Sequence, residues 1–205
     1  MNQFIAAGTI ASDIVRKETR NGVVATFRLC SGAAGHSQVW MDVEAWSNLA
    51  GTIHQHGTPG RTVIVGGRLT QRTWRDRKTG EARHRYVVAA ADIDLLPECH
   101  RETKDNEVNN TVITAGTVAT TPTVREAGSG SVTEFRLASG RAGSKSGRLW
   151  IDVEHWHREP FAISMKDRVV IAARLAYGRP TPADASRYYL DGRTVVASAP
   201  TRAGV

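Results

Sequence analysis

Two segments of the 205-residue chain place carboxylates and tryptophans at the same short spacing. They read Trp-Met-Asp-Val-Glu-Ala-Trp at residues 40–46 and Trp-Ile-Asp-Val-Glu-His-Trp at residues 150–156. Two carboxylates on one strand face form a ligand set for Mg²⁺ in phosphoryl chemistry. An exposed indole ring is a stacking surface for a nucleobase. The residue types therefore offer two chemistries, metal-assisted hydrolysis and base stacking.

The alternation within each segment is typical of a β-strand, whose side chains point to opposite faces in turn. Met41 and Val43 would face a core, as would Ile151 and Val153 in the second segment. Large aromatic rings on the opposite, polar face are typical of a stacking surface. We therefore expect four tryptophans to face outward beside the carboxylates: Trp40, Trp46, Trp150 and Trp156.

A metal site receives less support from the sequence. No third acidic residue accompanies either carboxylate pair at the spacing of a metal motif. His155 belongs to a His-x-His pair but falls on the inward strand face, where a hydrogen-bonded core imidazole is expected. The chain lacks Gly-x-Ser-x-Gly, phosphate-loop and His-Glu-x-x-His motifs. We therefore expect no enzyme activity, no metal and no cofactor, and we keep a metal-dependent nuclease as a remote alternative.

The similarity between the two segments extends along the chain. Gly8-Thr9-Ile10 recurs as Gly116-Thr117-Val118, residues 27–32 recur as 135–140, residues 63–69 as 169–175, and residues 85–89 loosely as 193–197. The offsets lie between 106 and 110 positions, and the order is kept. Two copies at this period indicate two similar domains of about 100 residues each. We predict one domain over residues 1–97, a linker over 98–110, a second domain over 111–200 and a short tail over 201–205.

Short strands and tight turns fill each copy. Arg20-Asn21-Gly22 and Lys78-Thr79-Gly80-Glu81 are hairpin signals. In the first copy Ser47 would cap a short helix that closes at Gly57, and a shorter helical run is predicted near residues 160–165. About five strands, with one helix between the third and the fourth, fit a Greek-key barrel of the OB type. The predicted fold class is all-β, with two tandem five-stranded OB-fold barrels that each carry one short helix.

The chain has a formal net charge of +7, which favours an anionic partner. Both predicted domains are basic, with 12 Lys/Arg against 8 Asp/Glu in residues 1–97 and 13 against 8 in residues 111–205. The densest basic cluster surrounds Trp74, where a hairpin arm would combine phosphate neutralisation with stacking on the indole. The candidate phosphate contacts are Arg68, Arg72, Arg75, Arg77, Lys78, Arg83 and Arg85, with Arg174 and Arg179 in the second copy.

The two cysteines predict no disulfide framework. Cys30 matches Ala138 in the other copy and is interpreted as a small core residue, and Cys99 falls in the predicted linker. The N-terminus lacks the layout of a signal peptide, and no run of about 18 apolar residues occurs. We expect a cytoplasmic, nucleoid-associated protein without a membrane partner.

The first copy resembles the bacterial-type single-stranded-DNA-binding proteins over nearly its whole length. Six features in order carry the resemblance: Gly8-Thr9-Ile10, Phe27-Arg28-Leu29-Cys30, the tryptophan strand at 40–46, Asn48-Leu49-Ala50, Val63 to Leu69, and Trp74-Arg75-Asp76. The resemblance implies that Trp40, Trp46 and Trp74 stack on bases, and that the cations of the Trp74 hairpin contact the DNA backbone. It implies sequence-tolerant binding of single-stranded DNA in replication, recombination or repair. An OB protein that binds RNA or a replication complex is the alternative, because the fold alone does not choose the ligand.

The second copy departs from the family pattern. The position that matches Trp74 is Pro180, which leaves Tyr177, Tyr188 and Tyr189 as candidate replacements. The tandem layout resembles family variants that form homodimers with four OB domains. If the chain is full length, its short basic end implies that no acidic tail recruits partner proteins.

Overall fold

The computed structural model describes residues 1–32, 38–96, 110–128, 130–140, 148–159, 161–178 and 188–197. These residues form twelve strands and one helix, so the all-β class is confirmed. The chain divides into two compact units, Gln3–Thr111 and Val112–Val205, with Met1–Asn2 grouped with the second. We refer to these units as domain 1 and domain 2. The predicted linker lies outside the described residues except for Asn110, and the predicted tail lies wholly outside them.

Domain 1 is an antiparallel sheet with one parallel pairing. Its elements are β1 (Asn2–Ile10), β2 (Val15–Thr19), β3 (Gly22–Ser31), β4 (Val39–Trp46), α1 (Asn48–His56), β5 (Thr62–Arg75) and β6 (Ala82–Leu95). The strand order is β2-β3-β4-β6-β5-β1, and β1 also pairs with β3. The parallel pairing joins β4 to β6. The two hairpins predicted in this domain are confirmed, since β2 pairs with β3 and β5 pairs with β6.

Domain 2 repeats this topology. Its strands are β7 (Asn110–Val118), β8 (Thr123–Ala127), β9 (Gly130–Ser139), β10 (Leu149–His157), β11 (Arg168–Tyr177) and β12 (Tyr188–Ala197). Their order is β8-β9-β10-β12-β11-β7, with β7 also paired to β9 and β10 parallel to β12. Each domain thus has six strands among its described residues, one more than the five expected. The additional strand is the short hairpin partner, β2 or β8.

The repeated Gly-Thr-Ile/Val segment has a steric cause. A Cβ atom at Gly8 would collide with the carbonyl oxygen of Cys30 on β3, and one at Gly116 would collide with that of Ala138 on β9. Only glycine allows the first strand of each domain to cross the third so closely. The crossing brings apolar side chains from both strands into the core, where Phe4 is fully buried.

Only domain 1 shows the predicted helix. Ala50 and Ile53 bury the inner face of α1, whereas Ser47 makes no side-chain cap and instead accepts through its carbonyl oxygen from the Ala50 N–H at 3.1 Å. In domain 2, residues 161–164 have no regular structure and Met165–Lys166 form a turn. The helix predicted near residues 160–165 is therefore wrong in the part that the structure describes.

The shorter connection accounts for the missing helix. The segment from Trp156 to Arg174 is four residues shorter than its counterpart in domain 1, from Trp46 to Arg68. Within it, Phe161 lies against the ring of His155, with centroids 4.6 Å apart. The short chain reaches β11 through a turn and not through a helix.

The repeat assigned to residues 85–89 and 193–197 is also wrong. Asp42 of β4 pairs with Val87, and its counterpart Asp152 of β10 pairs with Tyr189. Tyr189, and not Val195, is therefore the structural equivalent of Val87. The numbering offset between equivalent residues of the two domains is smaller at β12 than at β11. Ten residues separate Tyr177 from Tyr188, whereas fourteen separate the equivalent pair in domain 1, Gln71 and Tyr86. The β11–β12 arm is thus four residues shorter than the β5–β6 arm.

Candidate nucleic-acid interface

One sheet face of domain 1 carries three tryptophans. Trp40 and Trp46 lie on β4, at alternate positions to Met41, Val43 and Ala45, which are buried. Trp40 is 43% exposed and Trp46 is half-buried. The expected orientation of this strand is confirmed.

Trp74 stands on the same face through the strand register. Asp42 pairs with Val87, and Val87 pairs with Thr70 on β5. Trp74 follows Thr70 by four residues, so it points to the same side of the sheet, where it is 45% exposed. We call the sheet face that carries Trp40, Trp46 and Trp74 the aromatic face of domain 1.

The carboxylates of this face are neutralised by arginines. Glu44 is only 8% exposed, because its Oε2 accepts a hydrogen bond from Nη2 of Arg72 at 2.6 Å. Glu44 is therefore buried although it lies on the outward side of β4. Asp42 accepts from Nε of Arg28 at 3.4 Å and from Nη1 of Arg85 at 3.3 Å. Within the described residues, no cluster of three or more His, Cys, Asp or Glu is placed to bind a metal.

The predicted phosphate contacts of domain 1 divide between positions. The register places Arg72 opposite Arg85 and Trp74 opposite Arg83. All four side chains are on the aromatic face, and Arg68 lies further along the same side. Arg75 lies on the other side of the arm, and Arg77 and Lys78 lie in its turn. The structure thus gathers four cations around the indoles: Arg68, Arg72, Arg83 and Arg85.

Three of these four arginines form ion pairs. Arg72 binds Glu44, Arg85 binds Asp42, and Arg83 lies 3.3 Å from Asp76. The side chains of Arg83 and Arg85 are about half exposed, although their carboxylate partners are less so, and ion pairs open to solvent contribute little free energy. A phosphate group can therefore compete for these two guanidinium groups. The buried carboxylate of Glu44 ties Arg72 more closely to the sheet.

The turn of the β5–β6 arm is ordered by Asp76. Its Oδ1 accepts hydrogen bonds from the backbone N–H groups of Lys78 at 2.8 Å and Thr79 at 3.2 Å. These two bonds, with a smaller contribution from the charge of Arg83, lower the pKa of Asp76. Gly80 has a φ of 71°, which glycine adopts without strain. The turn thereby fixes the strands that carry Trp74 and its neighbouring arginines.

A groove runs beside Trp40, and sequence reasoning missed two of its cations. Its volume is about 680 Å³, and its lining includes Lys17, Arg28, Asp42 and Arg85. The signal for Arg28 was the Phe-Arg-Leu segment present in both copies, whereas nothing singled out Lys17.

The aromatic face of domain 1 also differs from expectation at Cys30. This residue pairs with Trp40 on the aromatic face and is half-buried, so the interpretation as a core residue is wrong. Burial raises the pKa of its thiol, which keeps the sulfur protonated at neutral pH. Cys99 lies outside the described residues.

Domain 2 presents an equivalent face with two tryptophans. Trp150 is 39% exposed and Trp156 is 52% exposed, as predicted. Each ring has a guanidinium group near it, because Arg148 lies 5.5 Å from the ring centroid of Trp150 and Arg125 lies 5.6 Å from that of Trp156. Sequence reasoning missed both arginines. We call this surface the aromatic face of domain 2.

Acidic residues form a row across the aromatic face of domain 2. Glu134, Glu154 and Asp191 occupy paired positions on β9, β10 and β12. Arg125 donates to Oε1 of Glu134 at 2.6 Å, and this bond raises the pKa of the guanidinium group. Arg174 lies opposite Asp191 at the end of the row. The predicted cation Arg174 is thus placed beside a carboxylate.

The remaining predictions for domain 2 concern its arm. Pro180 and Arg179 lie outside the described residues. Tyr177 pairs with Tyr188, and their rings meet edge to face with centroids 5.1 Å apart. Tyr189 points to the other side of β12 and is half-buried. A groove of about 340 Å³, lined by residues that include Arg136 and Asp152, lies in the position that corresponds to the larger groove of domain 1.

Together the topology and the outward aromatic rings define an all-β protein with two OB-type domains that each present an aromatic sheet face. Residues 1–96 match the model of the "Single-strand binding protein family". The matched residues are those of domain 1 and make up slightly less than half of the chain.

Two curated relatives are similar to about half of the chain. The chain is 30% identical over 105 residues to "Single-stranded DNA-binding protein 1" of Chlorobaculum tepidum. This match covers 47% of this chain and 65% of the relative. The chain therefore spans less than two thirds of that relative's length. It is 25% identical over 119 residues to the "Single-stranded DNA-binding protein" of Helicobacter hepaticus, covering 54% of this chain and 69% of the relative.

A solved structure shows the same fold across both domains. The wild-type single-stranded DNA binding protein from Thermus aquaticus matches with a TM-score of 0.71 and 19% sequence identity. The match covers 100% of this chain and 96% of that one. In the part of the chain that the structure describes, no helix has the length and hydropathy to cross a membrane.

Proposed function

We propose that this chain binds single-stranded DNA with little sequence preference and without catalysis. The observation that carries the proposal is the convergence of Trp40, Trp46 and Trp74 on one sheet face, with arginines between them. The names of the two curated relatives support DNA as the ligand.

The mechanism combines two physical contributions. Bases stack on the indoles, and since every base has a π-face this contact tolerates any sequence. Arginines neutralise phosphates and release counterions, which makes binding strong at low salt and weak at high salt. Arg83 and Arg85 are suited to this role because their own side chains remain about half exposed in their ion pairs with Asp76 and Asp42.

The ion pairs of the carboxylates favour binding over hydrolysis. Asp42 and Glu44 accept hydrogen bonds from three arginines, so a divalent cation would have to displace all of them. This is the reason to prefer a binding protein to the nuclease alternative. Incubation of labelled oligonucleotide with the protein and Mg²⁺ should leave the oligonucleotide intact.

Titration of tryptophan fluorescence with dT oligomers of increasing length tests the proposal. Stacking should quench the exposed indoles, and saturating dT with an unchanged emission spectrum would contradict it. Matched rU oligomers provide the comparison that separates DNA from RNA binding. Tighter binding of rU would favour the RNA alternative.

The proposed assembly is a homodimer with four OB domains, acting in the cytoplasm on DNA in replication, recombination or repair. It is motivated by the tandem layout, in which one chain supplies two domains. Sedimentation at micromolar concentration should give about twice the chain mass of 22.3 kDa. A mass equal to that of one chain would refute the dimer.

A further inference from the structure

The aromatic face of domain 2 contains a third ring that the family pattern does not predict. In domain 1 the third ring is Trp74, on the β5–β6 arm. We propose that Tyr189 is the third base-stacking residue of domain 2, with a nucleobase as its ligand. This inference rests on the proposed binding of single-stranded DNA and adds a position to it.

The register places Tyr189 on the aromatic face. It pairs with Asp152, which lies between Trp150 and Trp156 on the outward side of β10. The next pair along, Val153 and Leu190, is fully buried on the inner side. Side chains alternate along both strands, so Tyr189 points outward with the tryptophans.

The neighbouring tyrosines do not share this orientation. Tyr188 precedes Tyr189 and therefore points to the opposite side of β12. There its ring packs against that of Tyr177. Of the three candidate replacements for the missing indole, the geometry selects Tyr189.

Tyr189 keeps part of its surface exposed. It is half-buried, whereas its equivalent in domain 1, Val87, is fully buried. Its pairing partner on β11 is Ala176, a small residue. Trp150 lies one strand away and two residues along, so the usual strand spacing and rise put the two Cα atoms about 8 Å apart. Tyr189 and Trp150 therefore occupy neighbouring positions on one sheet face.

The charge pattern implies that base stacking contributes a larger part of the binding free energy in domain 2 than in domain 1. The acidic row next to Tyr189 contains Glu134, Glu154 and Asp191, which offset the charges of Arg125 and Arg174. Phosphate attraction on this face is therefore weaker than on the corresponding face of domain 1. Contacts with bases, which do not depend on net charge, carry more of the affinity.

Variants of the complete chain test the role of Tyr189. The background carries Trp40→Ala, Trp74→Ala and, at the half-buried position, Trp46→Phe, so that the remaining indoles, Trp150 and Trp156, both belong to domain 2 and their quenching by dT oligomers reports on that domain. Adding Tyr189→Ala should weaken dT binding by about five- to a hundred-fold. Tyr189→Phe keeps the ring and should change the affinity by less than about threefold. Tyr188→Ala is the matched control on the opposite face and should leave dT affinity within the same range.

Each outcome decides the inference. Equal affinities for the Tyr189→Ala and Tyr188→Ala variants, with circular dichroism showing both folded, would overturn it while leaving the binding function intact. Loss of all dT binding in the background variant alone would show that domain 2 does not bind, and would also overturn it. Absence of dT binding by the unmodified chain would refute the proposed function itself.

Photocross-linking provides a readout that requires no substitution. Ultraviolet irradiation of the unmodified chain with dT oligomers should give an adduct on Tyr189, located by fragmentation of the modified peptide. An adduct confined to Tyr177 or Tyr188 would contradict the assignment. A Tyr189 adduct that competes away with unlabelled dT would support it.

Discussion

The two domains share a topology and differ in the charge of one row of residues across the sheet. In domain 1 the row contains Thr26, Glu44, Ala89 and Arg68, and in domain 2 the equivalent row contains Glu134, Glu154, Asp191 and Arg174. The row therefore has one acidic residue in domain 1 and three in domain 2. The core residues on either side are buried in both domains, so the fold tolerates either row. The comparison indicates that the shared fold positions the rings in both domains, whereas the charge of this row differs between them.

The largest expected difference is between the isolated domains. Residues 1–97 should bind dT oligomers at least about tenfold more tightly than residues 110–205, because domain 1 has three indoles and the more basic face. The second fragment begins at Asn110, since this residue is buried at the start of β7. Fluorescence titration measures both affinities once circular dichroism has shown both fragments to be folded. Equal affinities would mean that domain 2 has replaced the missing indole, with Tyr189 as the first residue to test.

Substitution of Trp74 gives the next largest effect. Trp74→Ala should weaken dT binding of the whole chain by about five- to a hundred-fold, because one base loses its stacking partner. The fold should remain intact, since the side chain is nearly half exposed on the arm. Pro180→Ala is the matched control in domain 2 and should have almost no effect. Unfolding of the Trp74→Ala variant would show a structural role in place of a binding one.

The salt dependence of binding should separate two equivalent arginines. For single strands, log K falls with log salt by about 0.7 per phosphate neutralised, and the whole chain should show a slope steeper than about −1. Arg68→Gln should reduce the slope by about 0.7, because Arg68 lies opposite Ala89. Arg174→Gln should reduce it less, because Asp191 already offsets that charge. Equal changes would show that the acidic row does not affect phosphate binding.

The smallest effect concerns the turn at Asp76. Its lowered pKa means that the ionised carboxylate stabilises the folded turn. This contribution is complete above the unfolded pKa of about 3.9 and is lost as the pH falls through the folded value. The backbone amide resonance of Thr79, followed by NMR, should stay constant from pH 7 to 5 and change only below about 3.9. Asp76→Asn should remove this step, and a step above pH 5 would contradict the assignment.

The sequence predicted the aromatic faces because alternation in a strand is a local property. Every second residue from Trp40 to Trp46 turns outward, whatever lies elsewhere in the chain. Features of this kind depend on a few neighbouring residues and can be predicted from the chain itself.

The errors arose where distant residues decide the outcome. Glu44 is paired with Arg72, which is 28 positions away, so the local pattern of β4 does not reveal its burial. The helix predicted in domain 2 is absent from residues 161–166, where the connection is four residues shorter than in domain 1. The register of β12 was misread because its β-branched residues resemble those of β6 at more than one offset. Features of this kind are determined by which residues pair in the folded chain, and composition does not reveal them.

The length of the β5–β6 arm has a consequence for the rate at which a DNA strand associates with domain 1. Fourteen residues join Gln71 to Tyr86 in domain 1, where β5 and β6 stay paired out to Arg75 and Ala82, whereas ten residues join Tyr177 to Tyr188 in domain 2. A longer arm that carries an indole and several guanidinium groups meets a diffusing strand farther from the sheet, and its positive potential extends the capture radius further. We therefore expect domain 1 to make the first encounter with a passing strand. Domain 2 would then bind by an intramolecular step, at an effective concentration set by the chain that joins the two domains.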